Sequence, residues 1–143
     1  MEIKLIQHGS NDYGQMINLR ITQLLEPIGV PASYIEKEKE KNDFLIGAFE
    51  NKEMIGCCVL TPRRNGVIQL RQMAVRIDFR GKKAGAAIIE FAEQVARENN
   101  FSILMMHARD PVIEFYKKCG YEIGGKQFFE VGIGHHKMVK QLI

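Results

Sequence analysis

The clearest periodicity in the chain falls at residues 84–99. There Ile88, Phe91, Ala92 and Val95 recur at helical spacing, and Ala84, Ala86 and Ala87 allow close packing. Residues 12–25 place Met16, Leu19 and Leu24 at the same period, and Glu26-Pro27-Ile28-Gly29 stops that helix. Residues 32–41 read as a short second helix, with the alternating run Glu36-Lys37-Glu38-Lys39-Glu40-Lys41 favouring i,i+3 pairs on a solvated face. Residues 44–50 (FLIGAFE) and 53–61 (EMIGCCVLT) flank Asn51-Lys52 and predict a hairpin. A turn at Asn65-Gly66 leads into a third strand over 67–76. Residues 102–107 (SILMMH) form a continuous apolar run, the pattern of a strand buried on both faces. Asp110-Pro111 then opens a helix that Gly120 ends. An edge strand over 2–8 and strands at 121–125 and 128–142 complete the chain.

Strand 67–76, helix 84–99 and strand 102–107 make a βαβ crossover, so those two strands should be parallel. The hairpins make the rest of the sheet antiparallel. A mixed α/β fold follows, with about six to seven strands and about four helices in one domain spanning residues 1–143.

Composition narrows the function without naming it. The 143 residues are 45% hydrophobic and 26% charged, a globular profile with room for one core. A net charge of +3 suits an anionic small ligand. Cys57, Cys58 and Cys119 have neither disulfide nor zinc spacing, which points to a reducing, cytoplasmic setting. Met1 to Gln7 do not read as a signal peptide, and no apolar run reaches the roughly 20 residues of a membrane span.

Chemistry concentrates in residues 70–88. A strand ends, a short loop turns, and a basic, glycine-containing turn opens a helix. Free N–H groups and the macrodipole at a helix start bind anions. Gly81 and Gly85 permit close approach, and Arg80, Lys82 and Lys83 add charge. The segment lacks the Walker pattern and the dinucleotide fingerprint. On spacing alone, a phosphate cradle and a plain basic helix start, with Gly85 present for packing, are equal readings.

Residues 70–85 resemble the acyl-CoA motif of the GNAT superfamily: Leu-x-x-Met-Ala-Val, then (Gln/Arg)-x-x-Gly-x-(Gly/Ala), with Arg80 and Gly85 at its ends. His107-Ala108-Arg109 and Phe115-Tyr116-Lys117-Lys118-Cys119-Gly120-Tyr121 are similar to the family's second signature. The tail Phe129 to Met138 is similar to that of small bacterial members of the ElaA/YjcF-like type. Lys83 departs from the family, which usually has glycine there; a side chain restricts φ but adds a cation.

The resemblance implies an acyl-CoA N-acyltransferase fold whose parallel strands splay apart, and transfer of an acetyl group from acetyl-CoA to a primary amine, with no metal. Pantetheine would pair with the backbone of Met73, Ala74 and Val75, and Ala74 or Val75 would polarise the thioester. Pyrophosphate would sit on residues 80–86, including Ala84 and Ala86. Tyr116 would be the general acid for the departing thiolate. The strand offers Gln69, Arg71 and Gln72 where the family often has glutamate, so Glu130, His107, His135 and His136 are the candidate bases, Glu130 foremost. Arg20, Arg71, His107 and His135 are candidate substrate contacts, with internal salt bridges the competing reading for the arginines. His135 and His136 are adjacent on a strand and point to opposite faces, which disfavours a metal.

The alternative is a catalytically weak acyl-CoA-binding sensor or partner-binding protein of the same fold, which Lys83 favours and Tyr116 opposes; a thiol enzyme fits least, because Cys57 and Cys58 lie in an apolar strand and Cys119 ends an amphipathic helix. A nucleic-acid reader using Arg63, Arg64 and Arg80–Lys83 fits poorly, since 8% aromatics and no Trp offer little stacking. The hairpin edges leave a homodimer open.

Overall fold

The computed structural model describes residues 1–143. One sheet contains β1 (Glu2–Ile6), β2 (Phe44–Glu50), β3 (Glu53–Pro62), β4 (Val67–Val75), β5 (Ile103–Arg109), β6 (Glu122–Ile123), β7 (Phe128–Glu130) and β8 (Ile133–Gln141). The α-helices are α1 (Asn11–Arg20), α2 (Ala84–Glu98) and α3 (Ile113–Lys118). The strand order is β1-β2-β3-β4-β5-β8-β6, with β7 on β8. Only β4 and β5 are parallel, as the crossover requires.

The turns follow from their residues. Asn51 and Lys52 have φ of 50° and 67°, and Asn65 and Gly66 have 59° and 75°. Consecutive left-handed residues match the twist of two antiparallel strands, and Asn and Gly tolerate that conformation best. Each face of the sheet carries its own apolar layer. Ile88, Ile89, Ala92 and Ala96 of α2 and Tyr116 of α3 pack on Leu70, Leu104, Met106 and Met138. Met16, Ile17 and Leu19 of α1 pack on Leu45, Cys57, Val59 and Ala74. No helix is long and apolar enough to cross a membrane.

Three segments differ from expectation. Residues 32–41 are two short 3-10 turns, Ala32–Tyr34 and Lys37–Glu40, not a helix. The i,i+3 pairs do form, Lys39–Glu36 at 2.8 Å and Lys41–Glu38 at 2.6 Å. No apolar stripe holds the segment down, however, and Glu40 turns inward. The helix begun at Asn11 changes to a π turn over Ile21–Leu25 before its stop. The strand expected over 128–142 is a hairpin, broken at Val131 (φ 45°) and Gly132 (φ 73°), which raises the count to eight strands.

Glu40 turns inward to meet Arg20. The carboxylate accepts from Arg20 Nη1 at 2.8 Å and Nη2 at 2.7 Å, and from the Tyr13 hydroxyl at 2.7 Å. Arg20 Nε donates to Gln72 Oε1 at 3.4 Å. Arg20 is 1% exposed and Glu40 2%. Burial pushes the Glu40 carboxyl up, but Arg20 and Tyr13 outweigh it and hold it below its ordinary value. Tyr13 is pushed up, by burial first and by Glu40 second.

Removing one partner strands the other charge, so Arg20→Met or Glu40→Gln should each cost about 3–5 kcal/mol in urea denaturation. Because the folded Glu40 is depressed, its contribution is complete above the unfolded carboxyl value of ~4.3 and is lost as pH falls through the folded one. Wild type should lose this stability on acidification below that point. Glu40→Gln should lose less over the same range.

Candidate active site

The parallel pairing that should hold β4 to β5 is brief. It joins Val67–Leu70 to Ile103–Met106 and stops. Beyond it β5 pairs only with β8, and β4 continues along β3 through an irregularity between Cys57 and Val59. Gln72 lies in that irregularity with φ of 54°, a left-handed residue inside a strand. The bulge turns the end of β4 away from β5 and opens a gap. Arg76 N–H donates to Ile55 O at 2.8 Å, so by alternation Ala74 also faces β3. Met73 and Val75 therefore turn their backbone groups to the gap. Of the two candidates for polarising a thioester, Val75 is the one on the open side.

The basic loop sits at the gap's mouth. None of the N–H groups of residues 81–86 finds an acceptor within the chain, and the start of α2 has no side-chain cap. Gly81 has φ of 76° and faces open space. Lys83, where the family has glycine, adopts φ of 64°, the conformation glycine suits. Arg80 folds back instead of reaching over the loop. Its Nε donates to Val75 O at 3.0 Å and its Nη2 to Gln23 Oε1 at 3.1 Å. Gly85 serves packing: an added Cβ would lie 3.1 Å from the Phe115 ring.

Tyr116 approaches from the α2–α3 face. It is 5% exposed, edge-on to Phe115 and Tyr121 with centroids at 5.1 and 6.1 Å. The Tyr121 hydroxyl donates to Glu93 at 2.8 Å. The Tyr116 hydroxyl has no partner in the chain, yet no fully buried side-chain oxygen lacks one. Its tip therefore reaches solvent-accessible space. Burial pushes this phenol well up, so it is held protonated.

Met106 and Ala108 face α2 and α3, so His107 and Arg109 face the opposite side, where α1 lies. There His107 Nδ1 donates to Glu130 Oε1 at 2.7 Å, and His135 Nε2 lies 4.0 Å from Glu130 Oε2. Phe128 packs between the two rings, at 5.0 Å from His107 and 5.7 Å from His135. His136 points away, its Nδ1 donating to Asp110 at 2.7 Å and holding that carboxyl below its usual range. Three of the four candidate bases thus meet in one cluster, which their separation in sequence did not predict.

The arginines fare differently. The expected substrate contact of Arg20 has no donor edge free, since Glu40 and Gln72 take it. Arg71 donates to Thr61 at 3.2 Å and sits 3.7 Å from Asp43, on the acceptor side but already partnered. Cys57 and Cys58 are fully buried, and burial pushes the Cys57 thiol up to about 12 and Cys58 well above its ordinary value. Neither has the character of a nucleophile.

A mixed sheet opened between two parallel strands, with a basic loop of free N–H groups at its mouth, is the architecture of acyl-CoA N-acyltransferases. Residues 14–121 match the Acetyltransferase (GNAT) family, and the chain belongs to it. It is thus an acyl-CoA-dependent acetyltransferase by class. The chain is 30% identical over 117 residues to the uncharacterized N-acetyltransferase YitI of Bacillus subtilis (strain 168), covering 74% of this chain and 78% of that one. Its fold is similar to that of Escherichia coli ElaA (TM-score 0.86, 15% identity, 98% and 99% covered). It is also similar to an aminoglycoside 6'-N-acetyltransferase complexed with coenzyme A (TM-score 0.85, 16% identity, 100% and 98% covered).

A left-handed non-glycine residue costs about 1–2 kcal/mol, partly offset by the greater unfolded-state freedom of glycine. Lys83→Gly should therefore stabilise the protein by about 0.5–1 kcal/mol in thermal or urea unfolding. Lys83→Ala, which keeps the strain, should change stability little. A loss of stability in Lys83→Gly would contradict this reading of the loop.

Proposed function

We propose that the protein transfers the acetyl group of acetyl-CoA to a primary amine of a small molecule or peptide, by direct attack of the amine on the thioester. The observation that supports this reading is the gap between β4 and β5, in a sheet that carries a partner-free Tyr116 hydroxyl on its α2–α3 face and the His107–Glu130 pair on its α1 face. Pantetheine pairs with the backbone of Met73 and Val75, and the pyrophosphate lies on the free N–H groups of residues 81–86. The Val75 N–H polarises the thioester carbonyl. The coenzyme A complex of the structurally similar aminoglycoside acetyltransferase supports acetyl-CoA as co-substrate.

An amine is mostly protonated at neutral pH and must lose a proton to attack. His107, its Nδ1–H directed at Glu130, takes that proton at Nε2, and Glu130 balances the imidazolium. The nitrogen lone pair then forms the C–N bond, the C–S bond breaks, and the acylated nitrogen gives its second proton to solvent. Tyr116 gives its hydroxyl proton to the thiolate and regains one from solvent. A buried phenol is a weak acid, but the same desolvation raises the basicity of the thiolate formed beside it. The two therefore stay matched. Three unpaired thiols support a cytoplasmic setting. A sensor without turnover would have no use for the Tyr116 hydroxyl, which bonds nothing else in the chain.

Tyr116→Phe should lower kcat for amine-dependent CoA release about 10²- to 10⁴-fold, leaving acetyl-CoA affinity and melting temperature unchanged. Full turnover in this variant would remove Tyr116 from the mechanism. Glu130→Gln should reduce kcat/KM by about 10²-fold.

A further inference from the structure

A shallow cleft opens on the α1 face of the sheet, near the β3–β4 turn. Pro62, Arg63, Arg64, Gln69, Met105 and Lys137 line it. Its three cations are unpaired: none of Arg63, Arg64 and Lys137 takes part in an ion pair. Arg63 Nε donates to Gln69 Oε1 at 2.9 Å, which fixes the guanidinium and leaves its terminal nitrogens free. Asp43 is the carboxylate whose charge reaches Arg63, and it is already held by Thr61 at 3.0 Å and faced by Arg71 at 3.7 Å. Three like charges around one concavity repel one another, and an anion placed among them relieves that repulsion.

The acetyl-CoA phosphates are too distant to be that anion. Val67 borders the cleft and Val75 leads into the basic loop. Eight strand steps separate them, roughly 26 Å at about 3.3 Å per residue. The His107–Glu130 pair, by contrast, adjoins the cleft. Lys137 lies directly opposite His107 in the β5–β8 ladder, and Met105 is two residues before His107 on the same face. Directly opposed residues have Cβ atoms about 4.5–5.5 Å apart, and two strand steps span about 6.6 Å.

We propose that the acceptor amine carries an anionic group, a carboxylate or a phosphate, that docks between Arg63, Arg64 and Lys137 and sets the amine beside His107. This rests on the acetyl-transfer reading above and names its substrate class. The spacing selects an amine and an anion separated by about two strand steps, roughly 6.6 Å, which excludes simple alkylamines and polycationic acceptors.

The test compares 6-aminohexanoate and 6-aminohexyl phosphate with the neutral 6-aminohexanamide, following CoA release. The anionic compounds should exceed the amide at least tenfold in kcat/KM, and the better of the two identifies the group. In Arg64→Gln/Lys137→Gln the ratio should collapse toward one. A wild-type ratio near one, or a ratio that survives the double substitution, overturns the proposal. Calorimetric titration of 6-aminohexanoate and the amide into CoA-saturated protein reads the cleft apart from the chemistry. Binding of the acid over the amide, lost in the double variant, supports the cleft even if no compound is acetylated, in which case the transfer reading fails alone. Equal binding of acid and amide overturns the cleft.

Discussion

The parallel pairing of β4 and β5 lasts only from Val67–Ile103 to Leu70–Met106, and the functional geometry depends on its stopping there. A parallel ladder that continued would bury the backbone of Met73 and Val75 and seal the sheet. Because β4 bulges at Gln72, those groups are left without a strand neighbour in the middle of the sheet. The Val75 carbonyl takes Arg80 Nε as its partner, and the remaining groups are those the proposal gives to an extended amide-bearing ligand. The two faces of the sheet carry the free Tyr116 hydroxyl on one side and the His107–Glu130 pair on the other.

The bulge is held from below by the buried Arg20–Glu40 pair. Arg20 joins α1 to the 37–40 turn and, through Nε, to the side chain of the left-handed Gln72. Strained backbone persists only where its surroundings over-determine it. Here one guanidinium with every donor edge engaged does so. This explains why Arg20, an expected substrate contact, has no donor left for one. The free cations on that side come instead from the β3–β4 turn and from β8.

Much of this was legible in the sequence because local rules coincide with the global fold. Asn51-Lys52 and Asn65-Gly66 fix two hairpins, the Ile88–Val95 stripe fixes α2, and the apolar run at 103–106 fixes the buried strand. The loop at 80–86 could be read as a phosphate cradle, and Lys83 as an irregularity in it, since a helix start carries free donors whatever the side chains. Tertiary effects were not legible. Nothing near Gln72 announces a left-handed residue, because glycine, the usual marker, is absent. Glu40 looks like one of three equivalent glutamates in an alternating run, and only its distance from Arg20 sets it apart. Val131 takes a turn position that β-branched residues avoid, which hid the last hairpin. The convergence of His107, Glu130 and His135 depends on strand register, which no local pattern encodes.

The measurement that tests the central claim most directly is amide hydrogen exchange, residue by residue, with and without acetyl-CoA. Met73, Val75 and residues 81–86 should slow strongly, with Ala74, already turned to β3, changing little. Binding of acetyl-CoA that leaves Met73, Val75 and the loop amides exchanging as before, or no binding at all, would contradict it.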